Sequence, residues 1–246
     1  MQNSTLHISA AGNNLRIRRY MIEHYNDMPK HFLPIPNSNH TLISHIVEQG
    51  LEHFGDVLIH VGAHTFDWFF YSFLENPRVN IVVDNDLTGS MGPAARALEF
   101  SDRVFACAGD FYCPFSWSEF VKFHESHDAP ASILVSKSCP VPRGATFRLD
   151  GYDVVEWERP KMTNERQLLN ISCYIFDHDP AILEIGREYE LHKEDTFFTE
   201  LSKGRKLAAY VCEEKGFNVN HKETYLSMKK FVSERGVVGS SSFVDL

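Results

Sequence analysis

The segment Leu6–Arg16 constrains the fold most, because an apolar run of small residues stops abruptly at a glycine. This pattern predicts a first strand that delivers a phosphate-binding loop. Small side chains at Ala10 and Ala11 leave space for a ligand beside the end of the strand. Gly12 is expected to accept unusual backbone angles and to expose its N–H to an anion.

The residues after this glycine add turn propensity and positive charge. Asn13 and Asn14 continue the turn, and Asn14 tolerates the left-handed backbone that glycine adopts. Arg16 and Lys30 are expected to bind the same phosphates, the arginine through forked contacts and the lysine as a point charge. Neither G-x-x-x-x-G-K-S/T nor G-x-G-x-x-G occurs here, so the loop is of another kind. An ordinary strand-to-helix turn gives the same short pattern, and the loop alone leaves both interpretations open.

Periodic segments beyond the loop alternate between strand and helix. Residues 41–54 carry an apolar helical face, and residues 56–62 follow as a buried strand. Residues 66–74 predict a second helix rich in aromatic side chains, and residues 79–83 the next strand. This alternation predicts an α/β fold with a largely parallel sheet covered on both faces.

Length and composition set the broad class. The 246 residues, 43% of them hydrophobic, are sufficient for one large domain, predicted over residues 1–232 with a flexible tail over 233–246. A net charge of −9 argues against a nucleic-acid-binding surface. No run reaches the roughly 18 apolar residues of a membrane span, and no basic segment precedes an apolar one at the N-terminus. We expect a cytoplasmic protein without nucleic-acid or membrane partners, and leave open whether it forms a homo-oligomer.

A series of motifs then resembles one family along residues 6–225. A-A-G-N-N-L-R at 10–16 and P-K-H-F-L-P-I at 29–35 resemble the A-A-G-x-G-T-R and P-K opening of the sugar-1-phosphate nucleotidyltransferases. Later matches are G-S-M-G-P-A, a strand ending in Gly-Asp, E-R-P, N-I-S-C-Y-I-F and G-F-N. The resemblance implies a Rossmann-like, GT-A-like α/β/α sandwich with a mixed, mainly parallel central sheet. Short, more exposed strands within residues 131–176 are expected to form a small sugar-binding β sub-layer.

The same resemblance assigns roles to individual residues. The implied catalytic residues are Arg16, Lys30 and Asp110. The implied nucleotide-binding residues are Ala10, Ala11, Gly12, Asn13, Asn14, Asp84, Gly89, Ser90 and Gly109. The implied substrate-binding residues are Gly144, Glu158, Arg159 and Asn170. Asp110 and Asn218 are the implied ligands of Mg²⁺, the expected cofactor, since carboxylate and amide oxygens suit that ion.

The implied activity forms an NDP-sugar and pyrophosphate from an NTP and a sugar 1-phosphate. Two alternatives stay open: a cytidylyltransferase for a non-sugar phosphate such as phosphocholine, and a non-catalytic regulatory relative that binds sugar nucleotides. The second alternative draws support from Asn14, Leu15 and Ser172, which depart from the family pattern. Residues 17–28 exceed the family's usual spacing and are interpreted either as a solvated loop or as a lid with extra phosphate contacts from Arg18 or Arg19.

Overall fold

The structure, a computed structural model, describes residues 1, 3–12, 15–84, 91–137, 146–158, 168–188 and 194–235. The strands are β1 (Thr5–Ala10), β2 (Asp56–Val61), β3 (Val79–Val83), β4 (Arg103–Ala108), β5 (Phe111–Tyr112), β6 (Ala131–Lys137), β7 (Thr146–Asp150), β8 (Asp153–Glu158), β9 (Leu168–Asp177), β10 (Leu207–Cys212) and β11 (Phe217–Asn218). The helices are α1 (Arg18–Tyr25), α2 (Leu42–His53), α3 (Phe66–Phe73), α4 (Gly92–Leu98), α5 (Trp117–His124), α6 (Pro180–Glu188), α7 (Glu194–Lys203) and α8 (Lys222–Arg235).

Nine strands form one sheet in the order β3-β2-β1-β4-β9-β6-β10-β8-β7. Parallel pairing joins β3, β2, β1 and β4, and also joins β6 to β10. Only β9 and β8 run against the other strands of this sheet, because each pairs antiparallel with both neighbours. The α/β fold with a mixed, mostly parallel central sheet is therefore confirmed.

The first strand shows how the sequence pattern builds this sheet. Leu6, Ile8 and Ala10 of β1 are buried in one core cluster, while the alternate side chains face the other side of the sheet. Helix α2 covers the first face and begins at Thr41, whose side chain forms a capping box with Ser44. The amphipathic helix predicted at this position is confirmed.

The strands predicted as a separate sub-layer belong to the main sheet. Strands β9 and β6 lie in its interior, and their apolar residues are buried rather than exposed. The physical reason is long-range pairing, since β9 inserts antiparallel between β4 and β6 and both its faces become covered. Only the β7–β8 hairpin extends the sheet at its edge.

Residues 17–28 contain an eight-residue helix, α1, which is not the solvated loop considered from the sequence. Met21 is buried, and the hydroxyl groups of Tyr25 and Tyr225 lie 3.2 Å apart. The helix forms because packing against α8 stabilises a segment with no clear sequence periodicity. It ends at Asn26, which adopts a left-handed conformation.

Helix α8 continues to Arg235, three residues beyond the predicted end of the domain. Phe231 and Val232 are buried in the cluster that α8 shares with α1, so ordered packing reaches the last turns of this helix. The rest of the predicted tail, residues 236–246, lies outside the described residues. Among the helices that are described, none is both long and apolar enough to span a membrane.

Candidate active site

A buried ion pair lies beside the ends of the parallel strands. Lys30 begins the short 3₁₀ helix Lys30–Phe32, and Asp110 follows β4 by two residues. The Lys30 ammonium contacts the Asp110 carboxylate, and each residue is only 7% exposed. Burial is the largest influence on the pKa of Asp110 and would raise it, but the charges of Lys30 and His31 and the hydrogen bonds to the carboxylate together hold that pKa below its usual value. The two residues that the sequence assigned separately thus form one compensated pair.

Asn218 reaches the same place through a two-stranded sheet. Strand β11 pairs antiparallel with β5, and the Val219 amide donates to the Asp110 carbonyl at 2.8 Å. The side-chain Nδ2 of Asn218 donates to the Asn170 carbonyl at 2.7 Å. Its Oδ1 is buried and has no hydrogen-bond partner among the described residues. Such an orphaned acceptor is costly unless a ligand satisfies it.

These two side chains fit a magnesium ion. The Asp110 carboxylate and the Asn218 amide oxygen are hard oxygen donors, and Mg²⁺ commonly takes one or two protein ligands together with substrate phosphates. Within the described part of the chain, no group of three or more His, Cys, Asp or Glu side chains could hold a metal. A metal at this site would therefore depend on substrate oxygens as well as on the protein.

The glycine loop begins at Ala10, the buried last residue of β1. Gly12 is exposed, a Cβ added there would meet nothing within 4 Å, and its φ is not in the left-handed region. The turn therefore does not use the left-handed backbone that glycine would allow at this position. Gly109 is more closely surrounded: an added Cβ would lie 3.2 Å from both Ala10 Cβ and His31 Cδ2, so these neighbours would have to shift slightly to admit a side chain.

A cavity of about 440 Å³ adjoins this loop. Its lining residues are Leu15, Arg18, Asp27, Pro29, His64, Thr65 and Trp68. Arg18, on α1, pairs with Asp27 at 3.4 Å at the cavity wall, and both side chains are about half exposed. Arg16 is exposed and makes no hydrogen bond or ion pair with any residue that the structure describes. Of the two arginines that follow the loop, Arg18 lines the cavity and Arg16 is exposed.

Asp84 follows β3 and is buried. Its Oδ1 lies 3.5 Å from Arg96 of α4, so its charge is compensated within the protein. His60 on β2 lies close to Asp84. Its Nε2 is 3.3 Å from Nδ1 of His7. Burial lowers the pKa of His60 to about 4, and this imidazole is neutral at physiological pH. The predicted contact of Asp84 with a nucleotide stays a prediction.

Asn170 contacts the site through its carbonyl, which accepts the hydrogen bond from Asn218. Its Oδ1 accepts a hydrogen bond from the Ser172 amide at 2.6 Å, and its Nδ2 donates to the Tyr174 hydroxyl at 3.0 Å. These bonds stabilise a register shift between β6 and β9 at which Ser172 adopts a φ of 57°. A left-handed backbone explains why glycine suits this position in the resembling motif. The Asn170 side chain is thus engaged internally, and its predicted contact with a sugar stays a prediction.

Several predicted residues lie outside the described part of the chain. These are Asn13, Asn14, Gly89, Ser90, Gly144 and Arg159. Glu158 ends β8, but its side chain is not among those described.

The sequence interpretation missed two residues of the site. Asn220 accepts a hydrogen bond from Lys30 Nζ at 2.5 Å. His31 is buried against Phe69, and burial together with the Lys30 charge lowers its pKa to about 3. Asn220 lies in the turn after β11, so strand alternation gave no signal for it in the sequence. Nothing in the sequence distinguished His31 from the other twelve histidines.

The same fold occurs in solved structures of several nucleotidyltransferases. The chain is similar to sugar-1-phosphate nucleotidyltransferases, as its motifs predicted. No family model matches the sequence.

Individual proteins match this chain in sequence or in structure. The chain is 27% identical over 116 residues to mannose-1-phosphate guanylyltransferase catalytic subunit beta of Xenopus tropicalis, covering 44% of this chain and 31% of that protein. A protein assigned as a glucose-1-phosphate thymidylyltransferase, from Bacillus anthracis, superposes with a TM-score of 0.76 at 17% identity over 93% of this chain and 94% of its own. A UDP-glucose pyrophosphorylase bound to UDP-glucose gives a TM-score of 0.70 at 17% identity, covering 95% and 99%. The inositol-1-phosphate CTP transferase of T. maritima gives 0.68 at 12% identity, covering 96% and 98%.

Proposed function

We propose that this protein is a nucleotidyltransferase that forms an NDP-sugar and pyrophosphate from an NTP and a sugar 1-phosphate. The observation that carries the proposal is the cluster of Lys30, Asp110 and the unsatisfied Asn218 Oδ1 beside an exposed glycine loop. One fixed cation, one anion and one free acceptor suit a reaction that moves charge between phosphate oxygens. The similarity to the Xenopus guanylyltransferase supports the same class of reaction.

The reaction needs positioning and charge more than covalent chemistry. A phosphate oxygen of the sugar phosphate attacks the α-phosphorus of the NTP, the bond from that phosphorus to the β-phosphate bridging oxygen breaks, and pyrophosphate leaves. Lys30 offers its charge to the α-phosphate, where negative charge develops. Arg16 and the exposed backbone at Gly12 hold the leaving pyrophosphate. Arg18, on the wall of the adjoining cavity, adds a second cation to that end of the ligand.

Asp110 and Asn218 would hold Mg²⁺. When bound, the ion neutralises phosphate oxygens as a Lewis acid, which is the chemistry that the two side chains lack. We propose that the reaction takes place in the cytoplasm, where NTPs are available.

The relatives define which substrates to examine first. GTP with mannose 1-phosphate corresponds to the Xenopus protein, and UTP or dTTP with glucose 1-phosphate to two of the structural neighbours. CTP with inositol 1-phosphate corresponds to the T. maritima enzyme. An assay with CTP and phosphocholine tests the alternative of a cytidylyltransferase for a non-sugar phosphate.

A second candidate is a regulatory module that binds a sugar nucleotide without turnover. The observation that favours it is Ser172, which holds a left-handed backbone that costs a non-glycine residue energy at the site.

Calorimetry separates the two functions. The enzyme is expected to bind an NTP only when Mg²⁺ is present. In Asp110→Asn, adding Mg²⁺ should no longer strengthen NTP binding. The module is expected to bind an NDP-sugar and none of the NTPs. A Glu23→Gln variant, changed at an exposed residue of α1, serves as the control and is expected to bind like the wild type. Binding of neither ligand would contradict both functions.

A further inference from the structure

Asn220 is the second hydrogen-bond partner of the buried lysine. Lys30 Nζ contacts only two acceptors among the described residues, the Asp110 carboxylate and Asn220 Oδ1, the latter at 2.5 Å. Asn220 belongs to none of the motifs that resemble known enzymes. We infer that Asn220 is a positioning residue that holds Lys30 in place for the phosphate, an inference that rests on the proposed function of the site.

The backbone fixes this arrangement. Strand β11 ends at Asn218, and the Val219 amide donates to the Asp110 carbonyl at 2.8 Å. The Asn220 amide donates to the Asn218 carbonyl at 2.9 Å, which forms a tight turn directly after the strand. One short segment therefore joins Asp110 through the Val219 amide and carries the Asn220 side chain to Lys30. The Asn218 Oδ1 has no hydrogen-bond partner among the described residues, whereas the Asn220 Oδ1 accepts a hydrogen bond from Lys30.

The hydrogen-bonding capacity of an ammonium group explains the division of roles. Lysine has three N–H donors and no acceptor. Asp110 and Asn220 account for two donors, and the third has no acceptor among the described residues. A phosphate oxygen is the ligand that would complete this set, because it is anionic and accepts hydrogen bonds strongly.

A neutral acceptor serves this purpose better than a charged one. Asn220 restrains the ammonium without cancelling its charge, so the charge stays available to the phosphate. Asp110 has a competing role as the proposed metal ligand. Asn220 is then the partner that keeps Lys30 oriented when the carboxylate turns to other contacts.

Two variants of similar shape separate restraint from charge. Asn220→Leu removes the acceptor, and Asn220→Asp keeps an acceptor while adding a negative charge. Glu223→Gln is the matched control, since Glu223 is exposed and lies three residues further along the chain. All are studied in the full-length chain, with circular dichroism to verify folding.

The first readout is the ¹H–¹⁵N signal of the Lys30 ammonium, assigned by its loss in Lys30→Arg. Hydrogen-bonded, buried ammonium groups exchange slowly enough to be observed. The signal is expected to persist in the wild type, Asn220→Asp and Glu223→Gln, and to broaden or disappear in Asn220→Leu. An unchanged Lys30 signal in Asn220→Leu would overturn the inference.

The second readout is steady-state kinetics. Asn220→Leu is expected to lower kcat by about 10- to 100-fold, as expected for loss of a hydrogen bond to a charged group, with little change in the KM for NTP. Asn220→Asp is expected to lower kcat while retaining the Lys30 signal, because restraint survives and charge is cancelled. An unchanged kcat in Asn220→Leu would also overturn the inference. Wild-type inactivity on every substrate pair would contradict the proposed function, whereas the ammonium signal would still decide whether Asn220 restrains Lys30.

Discussion

Removing one partner of the Lys30–Asp110 pair should destabilise the whole protein as well as abolish activity. The Lys30 and Asp110 side chains are only 9% and 10% exposed. Asp110→Asn would leave the ammonium buried without its counter-ion, and breaking a buried pair in this way typically costs about 3–5 kcal/mol. That is a large share of the roughly 5–15 kcal/mol by which proteins are stable. The buried ion pair is therefore the reason to expect a loss of stability in addition to a loss of activity.

A double-mutant cycle measures this effect. The free energy of unfolding would be obtained from urea titrations of the wild type, Asp110→Asn, Lys30→Met and the double variant. The double variant removes both charges and is expected to be less destabilised than either single variant, with a coupling energy of about 2–3 kcal/mol. Glu23→Gln, which breaks an exposed pair with Arg19, should change stability by no more than about 0.5 kcal/mol. If Asp110→Asn were as stable as the wild type and the cycle showed no coupling, the buried pair would be refuted.

Three further predictions concern the cavity, the strained turn and the buried histidines. Arg18→Ala should weaken binding of inorganic pyrophosphate about three- to tenfold by calorimetry, whereas Arg19→Ala, which lies on α1 beside Glu23, should bind it normally; equal effects would remove Arg18 from the site. Ser172→Gly should raise the free energy of unfolding by about 1 kcal/mol, because glycine adopts a φ of 57° without strain, and a loss of stability would show that the serine side chain matters more. Burial, and after it the charge of His40, lowers the pKa of His45 to about 4, so the unfolded chain binds the proton more tightly than the folded one. The free energy of unfolding should therefore be highest above about pH 6.5 and should fall by about 3 kcal/mol as the pH is lowered to 4. His45→Phe should reduce this loss, and a free energy of unfolding that does not change with pH would contradict the prediction.

The fold was predictable where local pattern determines it. The strand at Val79–Val83 has the predicted limits, because a short apolar run bounded by polar residues encodes it directly. The placement of β9 between β4 and β6 was not predictable, since antiparallel insertion depends on pairing between distant segments. Helix α1 was missed for a related reason: it is stabilised by packing against α8, about two hundred residues away in the chain.

The site was predictable residue by residue but not as an arrangement. Lys30, Asp110 and Asn218 follow from the motifs, and the structure brings the three elements that carry them together. That Lys30 and Asp110 neutralise one another depends on burial, which no local pattern reveals. Asn220 lies outside the motifs, and only its distance to Lys30 identifies it.

Pyrophosphate release from matched pairs of NTP and sugar 1-phosphate is the most direct measurement of the proposed activity. The wild type is expected to release pyrophosphate with at least one pair, only with Mg²⁺ present, and with formation of an equal amount of NDP-sugar. Lys30→Met and Asp110→Asn are expected to lower the rate by about 100-fold or more, since each removes a charge that stabilises the transition state. Absence of pyrophosphate release with every pair, or release that both variants retain at the wild-type rate, would contradict the assignment of this site as a nucleotidyltransferase centre.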